Sequence, residues 1–237
     1  MDHEHTQKVF LAACGAGNLN LVKKICMHHN FARSESILAL FRACENGHTE
    51  VAGWLTKKFQ LTADDARSYN NLSLRLTCEY GHTETARWLV QNFCLIAEDA
   101  RTFHNDALLN ACKNGHIKTA KWLTEEFKLT KIDAKSRYKN ALTLACKKGH
   151  LNVALWIIEE FGFTTDDVQF NNDLALKKAC KYNKTEVVKW LLDDYYTVET
   201  ALLLSEEPNF SSNVKEWLKN YRPFGSFTKS AKEEAPN

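Results

Sequence analysis

The chain has 237 residues, of which 44% are hydrophobic and 11% aromatic, and its formal net charge at pH 7 is +2. This composition is sufficient for a packed core, and so small a net charge excludes a general attraction to nucleic acid. The sequence contains no apolar run of about 18 residues, the length that spans a membrane, and no apolar signal stretch near its start. We therefore expect an intracellular protein, cytoplasmic or nuclear, without a membrane span and with its eight cysteines reduced.

Cysteine recurs at a fixed interval along the chain. Five cysteines are each 34 residues apart, and a sixth lies 30 residues before them: Cys14, Cys44, Cys78, Cys112, Cys146 and Cys180. In four or five units, glycine follows the cysteine by three positions, histidine by four, tryptophan by ten and another aromatic residue by 15. A period of this length indicates stacked supersecondary units, which bury their apolar faces against one another.

Each unit predicts a short helical turn followed by a pair of helices. In one unit, Thr62 and Asp65 have the spacing of a capping box, in which a hydroxyl and a carboxylate satisfy free amides at a helix start. A helical turn should follow until Asn70 interrupts it. The apolar pattern of Leu72–Cys78 then predicts a first helix, helix A. After a glycine turn, a second helix, helix B, should begin near Thr83.

We predict one all-α solenoid domain of stacked helix-turn-helix units over residues 1–221. The six expected repeats are 6–35, 36–69, 70–103, 104–137, 138–171 and 172–205. A capping helix is expected at 212–221, because the last unit would otherwise expose an apolar face. Residues 222–237 are expected to form a flexible tail.

The stretch Ala111-Cys-Lys-Asn-Gly-His-Ile-Lys-Thr-Ala-Lys-Trp-Leu123 resembles the central motif of the ankyrin repeat. Ala43-Cys-Glu-Asn-Gly-His48 and Ala145-Cys-Lys-Lys-Gly-His150 match it equally well, and the resemblance extends over roughly residues 6–200. The array is similar to divergent ankyrin proteins of large DNA viruses and protists. Of the family's Thr-Pro-Leu-His opening of helix A, these units keep only the leucine. We expect the family's hairpin fingers to be reduced or replaced by short helical turns.

The tetratricopeptide repeat has the same period and is the alternative family. Its pattern requires a tryptophan in helix A and a proline after helix B. Here the tryptophans lie in helix B and the proline is missing. Both families would give an α-solenoid.

The repeated cysteine and histidine have two chemical alternatives to a structural role. A thiolate and an imidazole could bind zinc, but a structural zinc site needs four converging ligands, and a solenoid spreads equivalent side chains along its length. A nucleophile pair would occur once in a cleft, whereas this pair recurs in every unit. The sequence also lacks Gly-x-Ser-x-Gly, Gly-rich phosphate-loop and His-Glu-x-x-His motifs. We therefore expect no enzyme, metal or cofactor, with cysteine in a small buried site and histidine bonded to the turn backbone.

The repeated tryptophans could stack nucleic-acid bases, as aromatic platforms do in single-strand binders. Their helix-B positions adjoin small residues, which favours core packing of a large side chain beside a small one. These alanines are Ala52, Ala86, Ala120 and Ala154.

The family resemblance implies that an unidentified partner protein binds the inner surface of a monomeric solenoid, at the turn after helix A and at the finger tips. In this sequence the two positions after each cysteine are Glu45, Asn46, Glu79, Tyr80, Lys113, Asn114, Lys147, Lys148, Lys181 and Tyr182. The finger-tip equivalents are Asn70, Asn71, His104, Asn105, Tyr138, Lys139, Asn172 and Asp173. Together they predict a surface that is acidic in the first units and basic toward the last.

Residues 113–148 are markedly basic, with ten lysine or arginine residues against three acidic ones. In most helices such charges form a solvated face. Clustered in two adjacent units, they could instead bind nucleic acid or an acidic partner, and this is the alternative function that the sequence leaves open.

Overall fold

The computed structural model describes residues 3–135 and 140–222, and every regular element within these ranges is a helix. In chain order the helices are α1 (His3–Gly15), α2 (Leu19–His28), α3 (Arg33–Glu45), α4 (Thr49–Phe59), α5 (Ala63–Glu79), α6 (Thr83–Phe93), α7 (Ala97–Ala100), α8 (Thr102–Lys113), α9 (Ile117–Phe127), α10 (Lys131–Ala134), α11 (Ala141–Lys148), α12 (Leu151–Phe161), α13 (Thr165–Val168), α14 (Phe170–Lys181), α15 (Thr185–Tyr195), α16 (Val198–Ser205) and α17 (Ser212–Lys219).

The first helices of successive pairs pack against one another in a continuous row. In this row α1 packs on α3, α3 on α5, α5 on α8, α8 on α11 and α11 on α14, and each also packs on the second helix of its own pair. The second helices α4, α6 and α9 likewise contact one another in series. The predicted all-α stack of helix pairs is therefore confirmed.

Equivalent apolar side chains form the core of the stack. At one position of helix A and one of helix B, every side chain is at most 1% exposed: Leu40, Leu74, Leu108, Leu142 and Leu176, and Leu55, Leu89, Leu123, Ile157 and Leu191. Burying one such side chain contributes roughly 1.5–3 kcal/mol. The six repeated cysteines are 0% exposed and fill small sites in the same core. Because the apolar faces meet between units, the core runs along the whole stack.

The turn between helix A and helix B has the predicted glycine at its sharpest point. Gly115 has a φ of +81°, in the left-handed region, and His116 follows it as the N-cap of α9. The His116 N–H donates to the Ala111 carbonyl, which closes the end of α8. This geometry is the glycine-terminated helix end that the sequence predicted.

Histidine rings bond three of these turns to the next unit. The Nε2 atoms of His48 and His82 lie 3.0 Å from the carbonyl oxygens of Gly15 and Glu45, respectively, one unit earlier. His150 forms the equivalent bond with the carbonyl of Lys113. Burial lowers the pKa of His82 and of His150, which favours the neutral imidazole in each interface. The predicted role of these histidines, bonding the turn backbone, is confirmed at these three positions.

Short helical turns take the place of hairpin fingers, as predicted. In α5 the helix that begins after Thr62 is interrupted at Tyr69, Asn70 and Asn71, whose φ values of 52°, 58° and 56° are left-handed. Residues 103–105 and 171–173 repeat the same left-handed turn. The interval from Ala32 to the cysteine of α3 is four residues shorter, and α3 is an uninterrupted helix. The four additional residues of the later units therefore form the left-handed turn.

A ladder of ion pairs joins the short helices of neighbouring units. Arg33 Nη2 lies 2.5 Å from Asp65 Oδ2. Each carboxylate also accepts from the backbone N–H at the start of its own short helix, as Asp133 does from Thr130 at 2.8 Å. The further pairs are Arg67 with Asp99, Arg101 with Asp133, and both Lys131 and Lys135 with Asp167. Each of these aspartates thus caps its own short helix and also forms an ion pair with the preceding unit.

The C-terminal end of the stack differs in part from the prediction. The predicted capping helix corresponds to α17, but α16 precedes it and packs on it, and the sequence analysis did not identify α16. Tyr221 follows α17, is 5% exposed and donates its hydroxyl to Asp193 of α15. Of the predicted tail, Arg222 is described and the rest lies outside the described residues.

We predict that Gly115→Ala destabilises the protein more than Gly162→Ala does. Both glycines have positive φ, and an L-residue there costs about 1–2 kcal/mol. A Cβ on Gly115 would lie 2.7 Å from the His150 ring, whereas nothing lies within 4 Å of one on Gly162. Displacing the ring should cost a further 1–3 kcal/mol or so. Urea unfolding followed by circular dichroism measures the difference, and equal losses would contradict the histidine interface.

The ion-pair ladder predicts that stability falls in acid. Burial acts to raise the pKa of Asp133, but its hydrogen bonds to Arg101 and Thr130 outweigh burial and lower it. A carboxyl group with a lower pKa in the folded state stabilises the protein above its unfolded pKa of about 4, and this stabilisation is lost as the pH falls below that value. Thermal unfolding between pH 7 and pH 3 should show the decline. Asp133→Asn should lower stability at pH 7 and flatten the curve, whereas the exposed Asp166→Asn should leave its slope unchanged.

Candidate functional site

The two residues after each repeated cysteine end helix A, and they form a row along one edge of the stack. In α5, for example, Glu79 is the last helical residue and Tyr80 is the C-cap. We call this set the turn row: Glu45, Asn46, Glu79, Tyr80, Lys113, Asn114, Lys147, Lys148, Lys181 and Tyr182. Among them Asn46, Tyr80, Lys148, Lys181 and Tyr182 are exposed, and the others are half-buried.

A regular pattern of contacts connects the turn row from unit to unit. The first residue of one unit meets the second residue of the next. The negative charge of Glu45 raises the pKa of Tyr80. The carbonyl oxygen of Glu79 accepts a hydrogen bond of 2.9 Å from the side-chain amide of Asn114.

The same pattern continues at the basic end, where the ammonium of Lys147 lies 4.9 Å from the centroid of the Tyr182 ring. Equivalent side chains therefore stand beside one another along the edge.

The finger-tip residues do not share one environment. Asn70 and His104 are exposed, and Asn105 is half-buried. Asn71 is only 3% exposed, because its side-chain amide donates to Asp99 Oδ1 of the next unit at 3.2 Å. Asn71 therefore belongs to the interface between two units and is not available as a surface contact. Of the other predicted positions, Asn172 is exposed and Asp173 is half-buried, while Tyr138 and Lys139 lie outside the described residues.

Two of the left-handed turns begin with an aromatic residue that was not among the predicted site residues. Tyr69 is 66% exposed and Phe103 is 51% exposed. Phe103 lies under the guanidinium of Arg75, whose Cζ is 4.7 Å from the ring centroid. The signal was present in the sequence, since an aromatic residue directly precedes Asn70 and His104. We call these four residues the turn tips: Tyr69, Asn70, Phe103 and His104.

Arg75 holds one of these turns in its left-handed conformation. Its Nε donates to the Asn70 carbonyl at 3.0 Å and its Nη2 to the Tyr69 carbonyl at 3.1 Å, while Nη1 lies 3.2 Å from Asp106 Oδ2 of the next unit. These bonds offset the cost of three left-handed residues, which is about 1–2 kcal/mol each for residues other than glycine.

The described basic residues between 113 and 148 lie on three different parts of the fold. Lys131 and Lys135 are paired with Asp167 in the ladder. Lys118 and Lys121 lie on α9, and Lys128 caps its end, so these three belong to the helix-B row. Arg137 and Lys139 lie outside the described residues. The lysines left on the turn row, Lys113, Lys147 and Lys148, are continued by Lys181. Among the described residues, the basic residues of the turn row form a narrower basic half of that row, and a wider basic surface stays a prediction.

The repeated thiols are buried and protonated. Burial raises the pKa of Cys44, Cys78, Cys146 and Cys180 to about 12 in each case. Since the thiolate is the form that attacks substrates and binds metals, these side chains are chemically inert at neutral pH. Within residues 3–135 and 140–222 we find no group of three histidine, cysteine or acidic side chains that could hold a metal ion.

The tryptophans pack in the core region of helix B. Trp122 and Trp156 are 4% and 6% exposed, which confirms the core interpretation for these two. Trp54, Trp88 and Trp190 are half-buried and pack against the core. All five rings contact the aromatic residue five positions later at centroid distances of 5.6–6.5 Å. These contacts favour a packing role over base stacking.

Comparisons with known proteins agree with this architecture. A family model described as ankyrin repeats in three copies matches residues 9–99, 76–169 and 108–201. Among solved structures, the chain is similar to the crystal structure of the human ASB11 ankyrin repeat domain, with a TM-score of 0.62 and 18% identity over 90% of this chain and 98% of that one. No curated protein gives a significant match. In the part of the chain that the structure describes, no helix is both long and apolar enough to cross a bilayer.

The thiol environments predict selective alkylation of the native protein. Cys94 is exposed, whereas the other seven cysteines are buried. Iodoacetamide at pH 7.5 should therefore modify Cys94 and leave Cys112 and Cys146 unmodified, while all eight should react in urea. Peptide mass spectrometry after timed quenching measures this order, and early labelling of Cys112 would show that the core is not packed as described.

Proposed function

Since the chain belongs to the ankyrin-repeat family, we propose that it is a non-catalytic scaffold that binds a partner protein through the turn row and the turn tips. Ankyrin repeats are generally protein-interaction modules. The turn row and the turn tips lie at opposite ends of helix A, and eight residues of helix span about 12 Å. The proposed surface is thus a strip that follows the helix-A row.

One observation supports this proposal most: residues that are constant from unit to unit lie in the interfaces between units, and residues that vary lie on the turn row. The repeated cysteine, glycine and histidine are used in the interfaces between units. The second position after the cysteine holds chemically different side chains, namely Asn46, Tyr80, Asn114, Lys148 and Tyr182. Exposed tyrosines and charges on a rigid framework are suited to recognising a protein surface, where aromatic residues often supply much of the binding energy.

Two observations favour a protein partner over nucleic acid. The turn row begins with the carboxylates of Glu45 and Glu79, which would repel a phosphate backbone. Many of the lysines that made the segment 113–148 basic are paired or lie on helix B. Nucleic-acid binding through the remaining lysines stays the alternative, and a steep loss of affinity between 50 and 200 mM salt would indicate it.

The non-catalytic role is supported by the state of the repeated thiols, which are buried and have raised pKa values. All eight cysteines are free, which supports an intracellular, reducing compartment, cytoplasmic or nuclear. We expect the protein to be a monomer.

Truncating two exposed tyrosines of the turn row should reduce partner binding without unfolding the protein. In Tyr80→Ala/Tyr182→Ala, the loss of each aromatic contact should cost about 1–2 kcal/mol, or roughly 5- to 30-fold in affinity per contact. The matched control is Lys121→Ala/Leu155→Ala, which alters exposed residues of helix B. Quantitative affinity capture from the native cell, with circular dichroism of each variant, measures the effect. Equal recovery of every bound protein by both variants would rule out the turn row as the docking surface.

A further inference from the structure

The contact pattern of the turn row breaks down at one junction. Elsewhere the first residue of a unit meets a compatible residue of the next, as Glu45 meets Tyr80 and Lys147 meets Tyr182. In the same register the two positions are held by Lys113 and Lys148. The register therefore assigns two lysines to positions that hold a compatible pair at the other junctions.

The backbone shows that this junction keeps the common register. His150 bonds to the carbonyl of Lys113, just as His82 bonds to the carbonyl of Glu45. In both cases the histidine lies two positions after the second residue of the pair, which is Lys148 in one unit and Tyr80 in the other. The lysine pair is thus held in place by the same turn geometry as the compatible pairs.

No carboxylate within the described ranges neutralises these lysines. Lys131 and Lys135 both pair with Asp167, but Lys113, Lys148 and Lys181 form no ion pair with a described residue. Like charges at adjacent positions repel each other. Tyr182 lies beside this group and remains 43% exposed, with Lys147 over its ring. The basic half of the turn row therefore offers uncompensated positive charge next to an aromatic face.

The spacing of the row limits what can bind along it. Packed helices lie about 8–10 Å apart, so Lys113, Lys147 and Lys181 follow one another at about that distance. An extended polyproline-II segment rises about 3.1 Å per residue with three residues per turn, and it presents every third side chain on one face at about 9 Å intervals. Duplex DNA carries one charge per about 1.7 Å, which is far denser than this lysine row.

We infer that the basic half of the turn row binds an extended acidic segment of the partner protein, with a carboxylate at every third residue. Successive carboxylates lie about one unit apart: the first lies between Lys113 and Lys148 and relieves their repulsion, and a later one approaches Lys181. Tyr182 packs against the apolar side chains between them. This inference rests on the proposed scaffold function and specifies the chemistry of its partner.

The test uses synthetic peptides of one composition and two spacings. The phased probe is a fluorescein-labelled (Glu-Pro-Ser)4 peptide, and the unphased probe contains the same residues with its four glutamates contiguous. Fluorescence anisotropy at 50 mM salt should show that the phased peptide binds at least several-fold more tightly. Equal affinity of the two peptides, or no binding of the phased one, overturns the inference.

Variants locate the interaction on the lysine pair. Lys113→Gln/Lys148→Gln should weaken binding of the phased peptide at least 10-fold, and Lys113→Arg/Lys148→Arg should restore most of it. The control Lys121→Gln/Lys128→Gln removes two exposed lysines from the helix-B row and should leave binding unchanged. Unaltered affinity in the Lys113/Lys148 glutamine variant overturns the inference.

A third probe separates the alternative partner class. An oligothymidylate of 12 nucleotides should bind more weakly than the phased peptide, and tighter binding of the oligonucleotide overturns the inference in favour of nucleic acid. If the peptides fail while the tyrosine variant still loses captured proteins, the scaffold function stands and only its acidic specificity falls. If the peptides fail to bind and the tyrosine variant still recovers every captured protein, both the acidic specificity and the scaffold function are refuted.

Discussion

The helix pairs in the described part of this protein share one continuous core, and the rest of the structure follows from this constraint. The leucines and cysteines at equivalent positions are buried because the next unit covers them. Polar groups are shared in the same way. Asp133 closes the start of its own short helix and also binds Arg101 of the preceding unit. The His150 ring covers Gly115 of the preceding unit. Apolar burial and polar satisfaction therefore both depend on the neighbour.

The left-handed turns show how this dependence permits an expensive backbone. Three successive residues with positive φ would be unfavourable in an isolated peptide. Here Asn71 donates to Asp99, and the Asn70 carbonyl accepts from Thr102, so the next unit stabilises the turn of the one before. The turn presents Tyr69 to solvent at the end of helix A. The left-handed turn, which the next unit stabilises, thereby forms part of the proposed binding surface.

The turn row has a different character, because its side chains change from unit to unit whereas the repeated cysteine, glycine and histidine are nearly constant. Its residues range from Glu45 at one end to Lys181 at the other. The stack fixes their spacing and leaves their chemistry free to vary. The repulsive pair Lys113 and Lys148 can persist at this edge because the burial and histidine contacts beneath it hold both turns in place. Stability and recognition are thus carried by different side chains of the same turn.

The sequence by itself determined the repeat length, the helix pairs, the glycine turns and the capping boxes, because each depends on residues close together in the chain. It also located the turn row, since its register is counted from the cysteine. It could not show that Asn71 is buried, that Tyr69 is exposed or that Lys131 and Lys135 are neutralised by Asp167. Those facts depend on partners about 30 residues away. Two side chains can be equally polar in the sequence, as Asn70 and Asn71 are. Only the stacking of units decides that one is buried in the contact between units while the other stays on the surface.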